Sequence, residues 1–344
     1  MRTVSFENGK VVLIDQTKIP HEFELIKTDD IKRIWHAINI MEVRGAPAIG
    51  VTAAYGFAIT ASKSKALTIN ELISELEEAK DYLGTSRPTA TNLFWALNEM
   101  MKAAIAYDGE DPKELAKFLI EKAHKMADDD VSINEKLAIY GDSLIKDGDT
   151  IHTHCNCGPL CAVDLGTAMA PVILAHQNGK KIHVFTDETR PRFQGAKLNA
   201  WELSNAGVPY TLIPDNSAAY VMSQKKVDMV MIGVDRVASN GDTAAKIGVY
   251  GVALLAKAHN IPFYAVSPKS TIDMSLLCGA DIPIEERDPD EVRKVNGTYV
   301  TMPDANVLNY AFDVTPNELI TAIITEDGIV YPPFKENLKK IMGE

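Results

Sequence analysis

Residues 229–236 read Met-Val-Met-Ile-Gly-Val-Asp-Arg, a short apolar run that ends in a charged pair. Apolar runs of this length, without alternating polar residues, are typical of strands that are buried on both faces of a parallel sheet. The run therefore predicts a central strand whose end delivers Asp235 to the edge of that sheet.

Other short apolar runs lie on both sides of this one, at a spacing of about 25–30 residues that is typical of strands alternating with helices. The segments between them are long enough for a helix and end in turn signals such as Asn178-Gly179. Together they predict a parallel sheet with helices on both faces, in which ligands bind beyond the carboxyl ends of the strands. The predicted strands are Thr150 to His154, Ile182 to Thr186, Tyr210 to Ile213, Met229 to Val234, Phe263 to Val266 and Ala311 to Val314.

The first part of the chain has a different pattern. Asn8-Gly9 lies between two apolar runs and predicts a β-hairpin. Asp111-Pro112 then offers a cap and a first-turn proline, which predict a helix start. We expect a mostly helical domain over residues 1–130, with Asp128 to Asp130 as a seam before a further helix to Ile145. Residues 131–344 would then form a Rossmann-like α/β domain. A helical periodicity also places six apolar residues on one buried face: Leu93, Ala96, Leu97, Met100, Met101 and Ala104.

One uncharged run extends from Gly45 to Ser62. It consists largely of Ala, Gly and Thr, with Pro47 near its start, so it is only weakly apolar. We interpret it as a buried core helix rather than a membrane span.

The overall composition limits the classes of partner. The 344 residues contain 35 Lys and Arg against 47 Asp and Glu, a formal net charge of −12. A surface of this charge repels a phosphate backbone, so we expect no nucleic-acid partner, although a local basic pocket for a small phosphate stays compatible with it. Three of the four cysteines fall within residues 155–161, which favours a reducing cytoplasm over a disulfide scaffold. The first ten residues contain no apolar signal segment, which also favours the cytoplasm.

Several nucleotide and metal motifs are absent from the sequence. It contains no GxGxxG after a strand, no GxxxxGK followed by Ser or Thr, and no HExxH. Dinucleotide, P-loop and zinc-protease functions are therefore disfavoured.

Asp235 is the first candidate for a catalytic group. At a strand end, partial burial would raise the pKa of its carboxyl and let it act as an acid. Alternatively, Asp235 caps the next helix or pairs with Arg236. The position alone leaves both interpretations open.

The cysteine-rich segment that begins at His152 suggests a metal site at first. Strand alternation, however, places Thr153 and Cys155 on one face and His152 and His154 on the other, so the sequence predicts no metal site here. Cys161 fits a small buried apolar residue. Cys155 differs, because it ends a strand before a turn into a helix, where free N–H groups favour the thiolate.

Two arginines precede prolines that could start helices, in Arg44-Gly45-Ala46-Pro47 and Arg87-Pro88-Thr89. A helix N-terminus beside a guanidinium fork can bind phosphate, although either arginine could instead be a solvated surface residue. Asn240 to Lys246 predicts another entry from a loop into a helix, where Asp242 could serve as an ordinary cap.

These motifs, taken together and in order along nearly the whole chain, resemble the methylthioribose-1-phosphate isomerases. That family belongs to the superfamily of the regulatory subunits of translation initiation factor 2B. The residues that carry the resemblance are Arg44 to Gly50, Arg87 to Thr89, Thr153 to Asn156, Asp187 to Pro191, Gln194 to Ala196, Asp235-Arg236, Asn240 to Asp242, Glu285 to Asp288 and Phe312 to Pro316.

The resemblance implies a helical N-terminal domain, a Rossmann-like C-terminal domain and a homodimer. It also implies an aldose-ketose isomerase of methionine salvage that needs no cofactor. Cys155 and Asp235 match the catalytic pair of the family. Ala245 departs from the family pattern, which usually has Asn there, and Cys157 and Pro159 are also unusual. Residues matching the substrate-binding positions are Arg44, Gly45, Ala46, Arg87, Gln194 and Lys246.

Two other functions stay open at this point. A ribose 1,5-bisphosphate isomerase of the same fold would keep Cys155 and Asp235, but it would need a second cationic pocket. A non-catalytic regulatory subunit like those of initiation factor 2B would not need the pair.

Overall fold

The computed structural model describes residues 2–88 and 90–343. The chain divides into two compact units, Met1–Ile133 with Pro159–Gly166, and Asn134–Gly158 with Thr167–Glu344. The sequence-based division at residue 130, as a boundary between domains, stays a prediction. Among the described residues, no helix is both long enough and apolar enough to cross a membrane.

The first unit opens with a three-stranded antiparallel sheet of β1 (Val4–Glu7), β2 (Lys10–Ile14) and β3 (Leu25–Thr28). Asn8 and Gly9, which join β1 to β2, have φ values of 51° and 78°. Two successive positive φ angles are the backbone of a tight hairpin turn. The hairpin predicted from Asn8-Gly9 is confirmed.

Five helices follow in the chain, and the second is the centre of the first unit's core. Thirteen of its 18 residues are buried, on all sides of the helix. Its glycines allow close packing, since a Cβ on Gly50 would lie 3.0 Å from the Asn92 carbonyl oxygen. The uncharged run is thus a core helix, as predicted. The five helices are α1 (Ile31–Asn39), α2 (Ala46–Lys63), α3 (Ile69–Gly84), α4 (Thr91–Ile105) and α5 (Pro112–Asp142).

Helices α4 and α5 bear on two sequence predictions, the apolar periodicity of residues 93–104 and the helix start at Asp111-Pro112. All six apolar residues predicted on one face of α4 are buried. At the start of α5, the Asp111 carboxylate accepts a hydrogen bond from Lys113 N at 2.8 Å, as predicted for a cap. The break predicted at Asp128 to Asp130, before a further helix, is wrong, because the single helix α5 continues through these residues. Buried residues continue along one face of α5 beyond this point, so the helix stays packed there. Asp128 and Asp129 are exposed, and Asp130 is partly buried.

The second unit contains sheets of seven, four and two strands. Its strands are β4 (Thr150–Thr153), β5 (His183–Asp187), β6 (Tyr210–Ile213), β7 (Met229–Gly233), β8 (Arg236–Ala238), β9 (Thr243–Lys246), β10 (Phe263–Val266), β11 (Ile272–Asp273), β12 (Lys294–Val295), β13 (Thr298–Tyr299), β14 (Phe312–Thr315), β15 (Ala322–Thr325) and β16 (Gly328–Val330). Its helices are α6 (Met169–Gln177), α7 (Ala200–Ala206), α8 (Ala218–Ser223), α9 (Val249–Ala258), α10 (Asp290–Arg293) and α11 (Phe334–Met342).

The strand order of the larger sheet is β16-β15-β10-β7-β4-β5-β6, and all neighbours except β15 and β16 are parallel. The chain therefore fills the sheet outward from β4 in one direction and then from β7 in the other. This reversal creates a switch point between β4 and β7, where ligands bind in such sheets. The predicted α/β class and parallel sheet are confirmed.

Two expectations for the second unit need correction. The strand predicted at Ala311 to Val314 is β14, but it pairs antiparallel with β9 in the four-stranded sheet. The last parallel strand of the larger sheet is β15, which the sequence reading missed. Residues 243–246, expected to enter a helix, form β9 because both their edges are hydrogen-bonded, to β8 and to β14.

Candidate functional site

The switch point brings the ends of β4 and β7 together. The register pairs His152 of β4 with Val230 of β7, so both chains leave the sheet at the same edge. A Cβ on Gly233 would lie 2.8 Å from the Cys157 Cβ, which shows how closely the loop after β4 packs on the end of β7. Cys155 and Asp235 follow these two strand ends, as the sequence predicted.

Cys155 is held in an unusual backbone conformation with φ of 70°. Its backbone N donates to Thr189 Oγ1 at 2.9 Å, which ties it to the loop after β5. Gln194 Nε2 points at the Cys155 Sγ at 3.6 Å. Positive φ in a non-glycine residue is uncommon and concentrates at functional sites. The surrounding loops thus hold the thiol in a defined position beside an amide donor.

The segment after Cys155 differs from the expectation. The predicted helix entry at Gly158-Pro159 is only a single 3₁₀ turn, Pro159–Cys161, and α6 begins later, at Met169. Pro159 supplies no N–H group, and the turn is too short to build an α-helical N-terminus. The environment of the Cys155 thiol therefore comes from side chains and loops rather than from a helix end.

A buried cluster lies beside Cys155. His152 Nε2 and His154 Nδ1 approach the same oxygen, Asp187 Oδ2, at 3.1 and 2.8 Å. All three residues are buried. Burial works to raise the pKa of Asp187, but the charges and hydrogen bonds of His152 and His154 outweigh it and lower that pKa. The two histidines share one face of β4, as strand alternation predicted.

The opposite face of the loop contains Cys157. Burial raises the pKa of its thiol to about 12, and Thr153 Oγ1 lies 3.7 Å from its Sγ. Cys157 is therefore a neutral packing group. Cys161 is also buried, as expected for a small apolar side chain, and all four cysteines are free thiols.

One group of described residues is close enough to share a cation. The ligand atoms of His154, Asp187 and Asp215 lie within 4.8 Å of one another. However, His154 Nε2 is 2.9 Å from the Ile247 carbonyl oxygen, and Nδ1 faces Asp187. A carbonyl only accepts, so Nε2 carries a proton, and no nitrogen of His154 presents a free lone pair. The arrangement suits a charged histidine better than a metal ligand.

Asp235 differs from the expectation in one respect. Its side chain is exposed, whereas partial burial was predicted. The reason is local, because β7 ends at Gly233 and Asp235 N bonds to the Ala244 carbonyl oxygen at 2.8 Å, where the chain turns outward into β8. Arg236 donates to Asp273 at 2.7 Å, which gives that arginine a partner in β11.

Lys246 ends β9. Its Nζ donates to the Ala311 carbonyl oxygen at 2.7 Å and lies 4.3 Å from the centre of the Phe312 ring. Ala245, by contrast, is fully buried in the apolar core. Alternation along β9 therefore turns residue 245 inward and Lys246 to the other face. The Asp242 carboxylate accepts from Gly279 N and Asn317 N and ties the preceding loop to its neighbours, rather than capping a helix.

The remaining predicted residues lie in the first unit. Gly45 is the N-cap of α2, with φ of 94° and no side-chain cap. A Cβ there would lie 2.1 Å from the Cys161 carbonyl oxygen, so only glycine fits. Arg44 is partly buried, Ala46 is exposed, and Pro47 lies in the first turn, as predicted. The start of α2 thus has the uncapped N–H groups that bind anions in other proteins.

The helix start predicted after Arg87 also needs correction. Helix α4 begins at Thr91, not at Pro88, because the Ala90 N to Arg87 carbonyl bond of 3.0 Å first closes a turn. Arg87 is partly buried. Thr89 of the same motif lies outside the described residues.

A cleft of about 340 Å³ lies elsewhere in the second unit, lined by Gly148, Lys181 and Pro209. These residues precede β4, β5 and β6, so the cleft opens at the amino ends of the strands. It is separate from the switch point.

Sequence reasoning missed two residues of the site. Thr189 and Asp187 belong to the quoted Asp187 to Pro191 motif, but no role was assigned to either. The signal was present, since a polar run directly after a buried strand of a parallel sheet points at the ligand edge.

A mostly parallel α/β sheet with polar side chains at its switch point defines the class of doubly wound α/β proteins, which bind ligands at the carboxyl edge. The sequence pattern of the initiation factor 2 subunit family matches residues 42–332, and the chain belongs to this family.

Relatives within the family have two kinds of name. The chain is 48% identical over 341 residues to a methylthioribose-1-phosphate isomerase of Desulforamulus reducens, with 99% of each chain covered. It matches the crystal structure of 5-methylthioribose 1-phosphate isomerase from Pyrococcus horikoshii OT3 with a TM-score of 0.95 at 46% identity, over 99% of this chain and 96% of that one. It also matches the translation initiation factor eIF-2B subunit delta from A. fulgidus with a TM-score of 0.92 at 40% identity, over the whole of both chains.

Proposed function

We propose that this chain is an aldose-ketose isomerase that converts 5-methylthioribose 1-phosphate to 5-methylthioribulose 1-phosphate in methionine salvage. Full-length relatives at 46–49% identity with this name support the proposal. The structural observation that carries it is Cys155, held at positive φ with Gln194 on its thiol, beside the strand end that leads to Asp235.

The chemistry explains why such a pair is needed. The anomeric oxygen of the substrate carries phosphate, so the sugar cannot open to a free aldehyde. In our proposal Asp235 donates a proton to the ring oxygen as the ring opens. Cys155 assists the transfer of hydrogen from C2 to C1, and the C2 hydroxyl loses its proton to the Asp235 carboxylate, which yields the ketose and restores the acid. No cofactor enters this scheme, because the hydrogen that leaves C2 arrives at C1.

The proposed substrate contacts follow from the charge and the hydrogen-bonding capacity of each group. Lys246 and the two arginines supply positive charge for the phosphate, and the uncapped start of α2 supplies N–H groups. The buried Gln194 Oε1 is an acceptor for a sugar hydroxyl. The proposed substrate-binding residues are Arg44, Gly45, Ala46, Arg87, Gln194 and Lys246.

Exposure of Asp235 sets a condition on the proposed mechanism. Water that reaches an exposed carboxyl can also reach the reacting sugar. The bound substrate must therefore cover Asp235 and exclude water before ring opening. The proposal consequently expects Asp235 to act as an acid only in the substrate complex.

Two other functions are weighed against this one. A ribose 1,5-bisphosphate isomerase would use the same pair and would need cationic groups for a second phosphate. A non-catalytic subunit is suggested by the name of the A. fulgidus protein. The isomerase is favoured because Cys155 and Asp235 are both retained and the relatives of higher identity are named isomerases.

Parallel assays of two synthetic substrates test the proposal. We expect ketose formation, followed by NMR, with a higher kcat/KM for 5-methylthioribose 1-phosphate than for ribose 1,5-bisphosphate. A sample without the protein serves as the blank. A higher kcat/KM for the bisphosphate would instead identify the protein as a ribose 1,5-bisphosphate isomerase. No product from either sugar, together with stable capture of initiation factor 2, would establish the second.

The proposal includes a homodimer in the cytoplasm. Exposed apolar side chains lie on two helices that pack together, Tyr220 on α8 and Tyr250 and Leu254 on α9. Tyr250 and Leu254 are four residues apart and share one face of α9, and exposed apolar faces of this kind mark association surfaces. We expect a dimer by light scattering and a monomer for Leu254→Glu, whereas Leu67→Glu, at an exposed site in the first unit, leaves the dimer intact. The four free thiols support the cytoplasmic location.

A further inference from the structure

The buried histidine next to Cys155 has both ring nitrogens engaged. His154 Nε2 is 2.9 Å from the Ile247 carbonyl oxygen, and its Nδ1 is 2.8 Å from Asp187 Oδ2. Both partners are acceptors, so both nitrogens carry protons when Asp187 is ionised. The geometry therefore fits an imidazolium that is 1% exposed.

The bond to Ile247 crosses between two parts of the site. His154 precedes Cys155 in the chain, and Ile247 follows Lys246. Gly248 packs on the same ring, since a Cβ there would lie 3.0 Å from His154 Cε1. One side chain thus joins the loop of the thiol to the turn of the lysine.

The charges around the ring favour its protonated form. Asp187 on β5 binds it directly, and a carboxylate oxygen of Asp215 lies within 4.8 Å. Asp313 on β14 accepts from Gly248 N and Tyr250 N, and His154 lowers the pKa that burial raises at that carboxyl. His152 on β4 is the other cation-forming group here, and it shares Asp187 Oδ2. Two carboxyl groups therefore lie close to the ring, and a third binds the backbone of the turn at Gly248 that packs on it.

Building on the proposed isomerase function, we propose that His154 is a positioning residue whose imidazolium charge fixes Cys155 and Lys246 relative to each other. The cation is bound to Asp187 on one side and to the Ile247 carbonyl on the other. Removal of the charge weakens both bonds, and the thiol loop and the lysine turn then move independently. His154 touches no reacting atom in this scheme.

The direction of the pH response follows from the cluster. Burial favours the neutral ring, but the hydrogen bond and charge of Asp187 outweigh it and raise the pKa of His154 above its ordinary 6.5. The imidazolium is therefore present at and above pH 6.5 and is lost only as the pH rises through the raised value. The link between the two loops should loosen on the alkaline side.

The test compares His154→Gln with His183→Gln. Gln can still donate to the Ile247 carbonyl but has no charge, and His183 lies at the far end of β5, bonded to Thr211. We expect His154→Gln to lower kcat and raise KM together, with kcat/KM falling about 10²-fold, as for a misplaced reacting group. His183→Gln should keep both parameters. In the Cys155→Ser background the kcat effect of His154→Gln should shrink, and in the Lys246→Ala background its KM effect should shrink.

A second measurement uses the wild-type protein, so it tests the proposal even if the variant does not fold. With ¹⁵N-labelled histidine, both ring nitrogens of most His154 rings should be protonated at pH 6.5, and the amide signals of Cys155 and Gly248 should titrate with the same midpoint, above 6.5. A ring that is mostly neutral at pH 6.5, amides that do not follow it, or unchanged kcat and KM in His154→Gln would overturn the proposal. Absence of turnover in the wild type would instead contradict the isomerase function, since the ring and amide signals do not depend on substrate.

Discussion

The helix α2 and the carboxyl edge of the larger sheet are both buried, but by different kinds of residue. The buried positions of α2 are mostly Ala, Gly, Val, Ile, Tyr and Phe. At the sheet edge, His152, Thr153, His154, Thr186 and Asp187 are all at most 1% exposed. Apolar burial stabilises a fold directly, whereas a polar group loses hydration and must regain it from partners. A protein concentrates such expensive groups where their chemistry is used, so the polar cluster marks the site and the apolar helix marks the scaffold.

The largest effect expected at the sheet edge concerns the proposed catalytic pair. Cys155→Ser and Asp235→Asn should each lower kcat by about 10²–10⁴, the range of a positioned acid or base, with little change in substrate affinity. Steady-state kinetics and melting curves check this. Cys157→Ser is the matched control, because the same exchange two residues away in the same loop should leave kcat unchanged. Near-normal turnover in either variant would exclude its residue from the chemistry.

The largest effect expected at α2 concerns stability alone. Phe57 is fully buried, so Phe57→Ala should lower the free energy of unfolding by about 3–5 kcal/mol through lost burial and a cavity. Trp95 is exposed, so Trp95→Ala should lower the free energy of unfolding much less. Denaturant unfolding measures both. An equal loss of unfolding free energy in both variants would show that burial of Phe57 in α2 does not stabilise the fold more than exposed Trp95 does.

Arg87→Lys tests whether a residue of the first unit, which contains α2, also takes part in binding, because Arg87 is proposed to bind substrate. A lysine cannot form the bidentate contact of a guanidinium, so we expect KM to rise about tenfold, as for one lost charged hydrogen bond. Arg33→Lys, in the same unit and paired with Glu42, should leave KM unchanged. An unchanged KM in Arg87→Lys would remove this arginine from the site.

A smaller effect concerns Asp130 on α5. Its carboxylate accepts from Val163 N, and burial raises its pKa to about 6 from 3.8. The folded protein thus binds this proton more tightly than the unfolded chain, so the ionised carboxyl destabilises the fold as the pH rises from 3.8 to 6. Asp130→Asn should be the more stable protein above pH 6 and should lose that advantage below pH 3.8, with exposed Asp129→Asn as control. A difference that is independent of pH would refute this.

The smallest expected effect is that of metal removal. Both His154 nitrogens face acceptors, so exhaustive EDTA treatment should leave kcat unchanged, and elemental analysis should find no stoichiometric zinc. Activity lost on chelation and restored by zinc alone would show that the polar edge is a metal site after all.

Local patterns in the sequence predicted many elements. Asn8-Gly9 sets its own turn, and the six apolar residues of α4 set their own face, because hairpins and helices depend on neighbours a few residues away. The prediction that residues 243–246 enter a helix was wrong for the opposite reason. Their pairing with β8 and β14 involves residues up to about 70 positions away in the chain, and such partners override local propensity.

The sequence by itself determined the α/β class, the buried helix α2, the strands β4 and β7 that lead to Cys155 and Asp235, and the shared face of His152 and His154. Only the tertiary structure decided that Asp235 is exposed, that Ala245 points into the core, and that His154 spans from Asp187 to the Ile247 carbonyl. Periodicity is a property of consecutive residues and can be read from them. Exposure and hydrogen-bond partners depend instead on which distant segments meet, and in this chain those contacts join residues 33 and 93 positions apart.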